Sequence, residues 1–198
     1  MLDQKLILTL YIFLFGSTVA FKFFSVRKKI KKSPILLTTH HFLAEAWLKK
    51  AIFPFFLAWM GGILWFSWHG VDEKSYLFPP QLSLTVIGLS LLFLSWGLFV
   101  LALWQMKEAW RVGIDSTQKN LLVTTGIYSY IRHPIYTSLK ISIIAILLIF
   151  PHVYFLILFF PAYGGTTMIA LLEEDFLISQ FGEMYKQYMK TTHRFWYF

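Results

Sequence analysis

The sequence predicts an all-α, polytopic membrane protein with about five transmembrane helices and a C-terminal amphipathic helix. Hydrophobic residues make up 57% of its 198 residues and charged residues only 14%, whereas soluble domains carry roughly 25% charged residues. The apolar residues are grouped in runs long enough to cross a bilayer, and short polar segments separate these runs. Cysteine is absent from the sequence, which excludes disulfides and thiolate metal sites.

The first predicted span covers residues 6–24. A cluster of five Lys and Arg residues within residues 27–32 follows this run. A cleaved signal peptide carries its positive charge before the apolar run, so we expect a retained membrane helix. The other spans follow the remaining apolar runs in order, at residues 51–68, 82–106, 134–150 and 153–172.

The segment after the fifth span, residues 173–189, is predicted to form an amphipathic helix. Its apolar residues recur at helical spacing and leave the opposite face polar: Leu177, Phe181, Met184, Tyr185 and Tyr188. We expect this helix to begin at the acidic residues 173–175, because negative charge stabilises the N-terminus of a helix.

The distribution of basic residues predicts the orientation in the membrane. With the N-terminus outside, sixteen of the eighteen Lys and Arg residues lie on or near the inner side. The positive-inside rule therefore places the loop at residues 25–50, the segment 107–133 and the C-terminus in the cytoplasm. The net charge of +8 is then explained by topology and by contacts with membrane lipids, so nucleic acid is not an expected partner.

Two clusters of ionisable residues from distant parts of the sequence are expected to meet at one membrane face. Spans four and five are joined only by the short turn Pro151-His152, so they form an antiparallel hairpin. The start of span four and the end of span five then lie on the same face. This brings Arg132 and His133 close to the acidic residues 173–175.

Each cluster also has a purely structural interpretation. Arg132 and His133 could contact only lipid headgroups, or they could form an anion site with the helix N-terminus at Pro134. Helix capping explains one acidic residue on this basic face but not three, so we interpret the two clusters as a polar site. The histidines show no metal-ligand spacing, and no metal site is predicted. We expect no ionisable residue in the middle of a span, which argues against a transporter.

At these residues the sequence resembles a known family. Residues 122–128 and 132–136 read LVTTGIY and RHPIY, which resembles the LVxxGxYxxxRHPxY signature of the membrane isoprenylcysteine carboxyl methyltransferases. Residues 173–188, followed by Arg194, resemble the second signature of that family. Residues 110–115 are similar to a segment of bacterial relatives, and the phospholipid N-methyltransferases share the general layout.

The resemblance covers about residues 100–195 and implies a methyltransferase that uses S-adenosylmethionine. In the family the cofactor lies between the RHPxY segment and the glutamates after the last span. The implied cofactor-binding positions are Val123, Gly126, Tyr128, His133, Tyr136, Glu173 and Glu174. The implied catalytic positions are Arg132, Glu174 and Arg194. The resemblance implies that the two arginines lie near the acceptor or close the pocket.

On this basis we expect a single integral membrane domain, residues 1–198. Residues 1–106 contain three transmembrane helices, and residues 107–198 form a catalytic region with a transmembrane hairpin and the amphipathic helix. A lipophilic or prenylated methyl acceptor is expected to enter from the bilayer and the donor from the cytoplasm. The leading expectation is carboxyl O-methylation; the alternatives are N-methylation of a phospholipid amine and a non-catalytic scaffold or small transporter. The oligomeric state does not follow from the sequence.

Overall fold

The structure, a computed structural model, describes residues 4–30, 43–70, 73–107 and 122–196. Within these ranges the longer helices are α1 (Gln4–Ile30), α2 (Leu43–His69), α3 (Leu82–Met106), α4 (Pro134–Ile149), α5 (Val153–Phe181) and α6 (Glu183–Thr191). Short 3₁₀ turns lie at Glu73–Ser75 and Gly126–Ser129. No β-strand occurs in the described ranges, and the predicted all-α fold class is confirmed. The similarity at residues 110–115 and the basic residues 31 and 32 lie outside these ranges.

The apolar runs of the sequence coincide with helices α1 to α5. Among the described residues, three helices are long and apolar enough to cross a membrane: Leu6–Lys28 within α1, all of α3 and all of α5. Helix α4 is apolar but shorter, with 16 residues, or roughly 24 Å at 1.5 Å per residue. The chain is therefore a membrane protein, and the count of five spans stays a prediction.

The predicted start of the amphipathic helix is wrong. Helix α5 continues through the acidic residues to Phe181, and the chain breaks only at Gly182, which has a φ of 55°. The sequence has no glycine or proline between residues 166 and 181, so nothing interrupts the helical hydrogen bonds before Gly182. The amphipathic helix is the shorter α6, and the acidic residues 173–175 lie inside α5 rather than at a helix N-terminus.

Helices α3 and α4 pack closely and are linked by buried polar groups. A Cβ atom at Gly88 would lie 2.8 Å from the carbonyl oxygen of Ala145, so only glycine permits this approach. One turn of α4 away, the Ser95 hydroxyl lies 2.7 Å from the Ser142 hydroxyl, which also accepts a hydrogen bond of 3.1 Å from Tyr11 of α1. Small residues and hydroxyl groups of this kind hold helices together in a membrane.

The predicted hairpin of α4 and α5 is present. Its turn is short: α4 ends at Ile149 and α5 begins at Val153. The His152 Nδ1 atom caps α5 by accepting a hydrogen bond of 3.0 Å from the backbone N–H of Tyr154. The turn thus sends α5 back along α4, toward the end of the bundle where α4 begins.

Candidate functional site

The hairpin brings the start of α4 into contact with the acidic turn of α5. Arg132 Nε donates a hydrogen bond of 2.8 Å to Oε1 of Glu174. Arg194, from the segment after α6, donates to the other oxygen, Oε2, from Nε at 2.9 Å and from NH2 at 2.7 Å. Only 2% of Glu174 is exposed. The predicted catalytic residues therefore form one cluster, in which two guanidinium groups surround a single buried carboxylate.

The segment after α6 reaches the cluster because its backbone pairs with the segment before α4. The N–H of Arg132 donates to the carbonyl of His193 at 2.8 Å, and the N–H of His133 donates to the carbonyl of Arg194 at 3.2 Å. A return bond of 3.0 Å runs from the N–H of His193 to Tyr130. This pairing carries Arg194 toward Glu174, and no pattern in the sequence indicated it.

Further hydrogen bonds hold Arg132 in place. Its NH1 atom donates to the carbonyls of Met189, at 3.1 Å, and of Thr192. The guanidinium group thus joins α5 to the end of α6. The hydrogen bonds to Glu174 raise the pKa of Arg194, so this guanidinium group stays cationic at any physiological pH.

His133 and Tyr136 lie beside Glu173, next to the cluster around Glu174. The Tyr136 hydroxyl donates a hydrogen bond of 2.6 Å to Oε1 of Glu173. His133 Nδ1 lies 3.8 Å from Oε2 of Glu173, and its Nε2 atom lies 3.3 Å from Oε1 of Glu174. Nε2 is therefore within ion-pair range of Glu174, although it has no hydrogen bond of good geometry with a described residue.

The segment 122–128 is held against the end of α3 by Gln105. Its side-chain oxygen accepts a hydrogen bond of 2.7 Å from the backbone N–H of Ile127. Gly126 has a φ of 65°, and a Cβ atom there would lie 2.4 Å from Gln105 Oε1, so this position requires glycine. The sequence interpretation missed Gln105, whose signal is a polar side chain near the end of an apolar run.

Tyr128 anchors the same segment to α3 and α6. Its ring is buried, its hydroxyl points to the carbonyl of Ala102 at 3.4 Å, and its own carbonyl accepts a hydrogen bond from the Tyr188 hydroxyl. Burial raises the pKa of Tyr188 to about 12, so this hydroxyl stays protonated and remains a donor. Val123 is half-buried at the start of the segment.

A cleft of about 450 Å³ lies between this segment and α6. Its lining residues come from both sides: Leu122, Thr124, Ser129, Met184, Gln187, Tyr188, Thr191 and Thr192. The predicted cofactor-binding residues do not line this cleft but adjoin it, since Leu122 and Thr124 flank Val123. Thr192 connects the cleft to the charged cluster, because its carbonyl accepts a hydrogen bond from Arg132.

Two expectations fail at this end of the bundle. Asp175 is exposed and forms no ion pair with a described residue, so it acts on the cluster only at a distance, where its charge helps to raise the pKa of Arg194. Lys140 lies within α4 and is only 1% exposed, so the expectation that no ionisable residue lies inside a span is wrong. The described residues contain no group of three or more His, Asp or Glu side chains arranged to hold a metal ion.

The fold and the site define an integral membrane protein with an ion-paired polar site at one end of its helical bundle. The family model for phospholipid methyltransferases matches residues 83–184, just over half of the chain. The chain therefore belongs to this family of membrane methyltransferases, which is related to the isoprenylcysteine carboxyl methyltransferases. The matched region contains α3, α4, α5 and both glutamates but not Arg194. No curated protein matches the chain significantly.

Proposed function

We propose that the protein transfers a methyl group from S-adenosylmethionine to a lipophilic acceptor at the cytoplasmic face of the membrane. Enzymes of this family generally use this donor. The observation that carries the proposal is the buried cluster of Arg132, Glu174 and Arg194 beside a cleft of about 450 Å³. Acidic and basic groups that converge on one point from distant segments indicate a binding site more than a structural anchor.

The residues present fit the chemical groups of this donor. Its amino-acid portion carries an ammonium and a carboxylate, and the cluster offers groups of both signs. The Glu173 side chain is 28% exposed and would hold the ammonium, and the Arg194 side chain is 32% exposed and would hold the carboxylate. The cleft also lies within the range of roughly 300–1,000 Å³ of pockets that hold small molecules. The nucleoside portion would then lie along Val123, Gly126 and Tyr128.

The bound donor supplies an electrophilic methyl group, and the chain supplies alignment and a proton acceptor. Tyr136 stacks on the His133 ring at a centroid distance of 5.7 Å and Phe195 lies tilted against it at 6.2 Å, so the His133 side chain is buried from water. Fixed geometry in a dry site is the main source of acceleration for a displacement of this kind. In the tautomer that carries its hydrogen on Nδ1, on the side of Glu173, His133 would offer Nε2 as the proton acceptor for an amine.

This arrangement favours an amine acceptor over a carboxylate acceptor. A carboxylate acceptor would need a guanidinium group to position it, but Arg132 is held by Glu174 and Arg194 is already assigned to the carboxylate of the donor. An amine would need a proton acceptor, and the buried Nε2 atom of His133 is available. The resemblance of the RHPIY and Glu173-Glu174 motifs to isoprenylcysteine carboxyl methyltransferases supports the carboxylate as the second candidate.

We also propose that the site faces the cytoplasm, with the N-terminus outside and five spans in all. Lys22 Nζ, near the C-terminal end of α1, donates to the carbonyls of Leu103 and Lys107 at the end of α3. The end of α3 in turn holds the segment 122–128 through Gln105. The basic end of α1 and the site therefore lie at the same end of the bundle, which the positive-inside rule assigns to the cytoplasm. The division into residues 1–106 and a catalytic region at 107–198 belongs to the same proposal.

An acceptor screen with methyl-labelled donor tests this function. Purified protein in lipid nanodiscs is incubated with phosphatidylethanolamine or with a prenylcysteine analogue, and the lipid-extractable label is measured. We expect transfer to the amine lipid and loss of transfer in His133→Ala. Transfer to the prenylcysteine analogue alone would establish the carboxylate candidate instead. No transfer to either acceptor by folded protein would contradict the proposal.

A further inference from the structure

Lys140 is a buried cation that the proposed reaction does not use. It lies in α4, and only 1% of it is exposed. Its Nζ atom donates hydrogen bonds to the carbonyl of Tyr163, at 3.0 Å, and to the hydroxyl of Thr167, at 2.6 Å. The same atom lies 3.5 Å from the centroid of the Tyr163 ring and 4.7 Å from that of Phe195. All of these groups are neutral.

The charge of Lys140 has no counterion in the part of the chain that the structure describes. Burying an unpaired charge is costly, so a buried cation is normally matched by an anion. An ammonium group has three N–H donors, and two of them are used by Tyr163 and Thr167. The remaining neighbours of Nζ are the Tyr163 and Phe195 rings, which are weaker partners for a cation than an anionic group is.

Lys140 lies between the same two helices as the candidate site, but deeper in the bundle. It follows Tyr136 by four residues, which is about one turn or 6 Å along α4. Thr167 precedes Glu174 by seven residues, or about two turns, and therefore lies on the same face of α5. The Phe195 ring lies between the two levels, because it contacts both the Lys140 ammonium and the His133 ring.

We infer that Lys140 binds an anionic group of the acceptor that is separate from the methylated atom, of the kind that a phosphodiester supplies in an aminophospholipid. The inference rests on the proposed function. A membrane lipid that enters this bundle keeps its tails in the apolar part, so its phosphate lies deeper than its amine. In the protein, Lys140 likewise lies deeper in the bundle than His133, so the phosphate would meet Lys140 and the amine would meet His133. The Phe195 ring covers Lys140 on the side of His133, so the bound acceptor would take its place there and keep water away from both groups.

This arrangement makes Lys140 a determinant of acceptor specificity. A prenylcysteine acceptor carries its anion on the atom that is methylated, so it places nothing at the depth of Lys140. A long-chain amine without a phosphate also offers Lys140 no anion to bind. Only an acceptor that carries an amine at the depth of His133 and an anion at the depth of Lys140 contacts both residues.

The test compares the kinetics of Lys140→Met with those of the wild type for two acceptors, phosphatidylethanolamine and a long-chain alkylamine. We expect the KM for phosphatidylethanolamine to rise about tenfold or more, as for the loss of one charge-assisted hydrogen bond. The KM for the alkylamine and the Kd of the donor should stay unchanged. Lys140→Arg should retain most of the affinity for phosphatidylethanolamine. The matched control is Lys22→Met, which removes a lysine that donates to the carbonyls of Leu103 and Lys107, outside the α4–α5 pair.

Binding of a fluorescent phosphatidylethanolamine analogue gives a second readout that needs no turnover. We expect weaker binding by Lys140→Met and unchanged binding by Lys22→Met. If the Met variant fails to fold, Lys140→Gln replaces it. An equal rise in KM for both acceptors, or unchanged binding of the fluorescent lipid, would overturn the inference. Absence of methyl transfer by a wild-type protein that still binds the lipid through Lys140 would instead contradict the proposed function alone.

Discussion

Replacing Glu174 by glutamine removes the one negative charge at the centre of the cluster while preserving the shape of the side chain. Arg132, whose side chain is 7% exposed, then loses its carboxylate partner. Breaking a buried ion pair by removing one partner costs about 3–5 kcal/mol. The carbonyls of Met189 and Thr192 still accept hydrogen bonds from Arg132, so we expect a value near the lower end, about 3 kcal/mol. Arg194 adds little, because its side chain is 32% exposed.

Thermal unfolding of the protein in detergent measures this loss of stability. A change of 1 kcal/mol shifts the Tm of a protein of this size by about 2–4 °C, so Glu174→Gln should lower the Tm by about 6–12 °C. The control is Glu173→Gln, which is more exposed and keeps an amide oxygen that accepts the hydrogen bond from Tyr136, so it should cost at most about 1 kcal/mol. A Tm for Glu174→Gln that is no lower than that of Glu173→Gln would refute the central position of Glu174 in the cluster.

Three further predictions concern the backbone, the helix contacts and the topology. Gly126→Ala should lower the free energy of unfolding by about 1–2 kcal/mol because of the positive φ at this position, and a clash with Gln105 should add to this loss. In a Gln105→Ala background the loss should be smaller. An equal loss in both backgrounds would show that no clash exists. Ser142→Ala should lower stability by about 0.5–1.5 kcal/mol, because it leaves two buried hydroxyl groups without this partner; an unchanged melting curve would contradict the contact. The sequence has no cysteine, so single variants report topology directly. In intact cells an impermeant maleimide should label Lys74→Cys and not Lys190→Cys, and the reverse result would invert the proposed orientation.

The helices and the meeting of the two charged clusters were predictable from the sequence for simple reasons. The bounds of α3, residues 82–106, agree with the predicted span, because polar segments end that apolar run sharply on both sides. The hairpin follows from two apolar runs joined by a turn that is too short to cross the membrane, so the second run must return along the first. The predicted spans 134–150 and 153–172 have similar lengths, so their antiparallel pairing already brings Arg132 close to Glu174.

Other features depend on contacts that a sequence pattern does not encode. The backbone pairing of Arg132 with His193 joins two irregular segments, and no periodicity marks it. The acidic residues 173–175 are typical of a helix N-terminus, yet α5 continues through them to Phe181 because helical hydrogen bonds do not depend on the polarity of the side chains. Lys140 was missed because a single lysine hardly changes the hydropathy of its span, and its burial depends on neutral partners in α5.

Calorimetric titration of the purified protein with S-adenosylhomocysteine, the demethylated product of the donor, tests the central claim most directly. The claim is that the α4–α5 hairpin assembles one nucleoside-binding site from residues on both of its helices. We predict saturable binding by the wild type and its loss in both His133→Ala and Glu174→Gln, measured well below their melting temperatures, with binding retained in Lys22→Met. Wild-type affinity in both site variants would contradict the account.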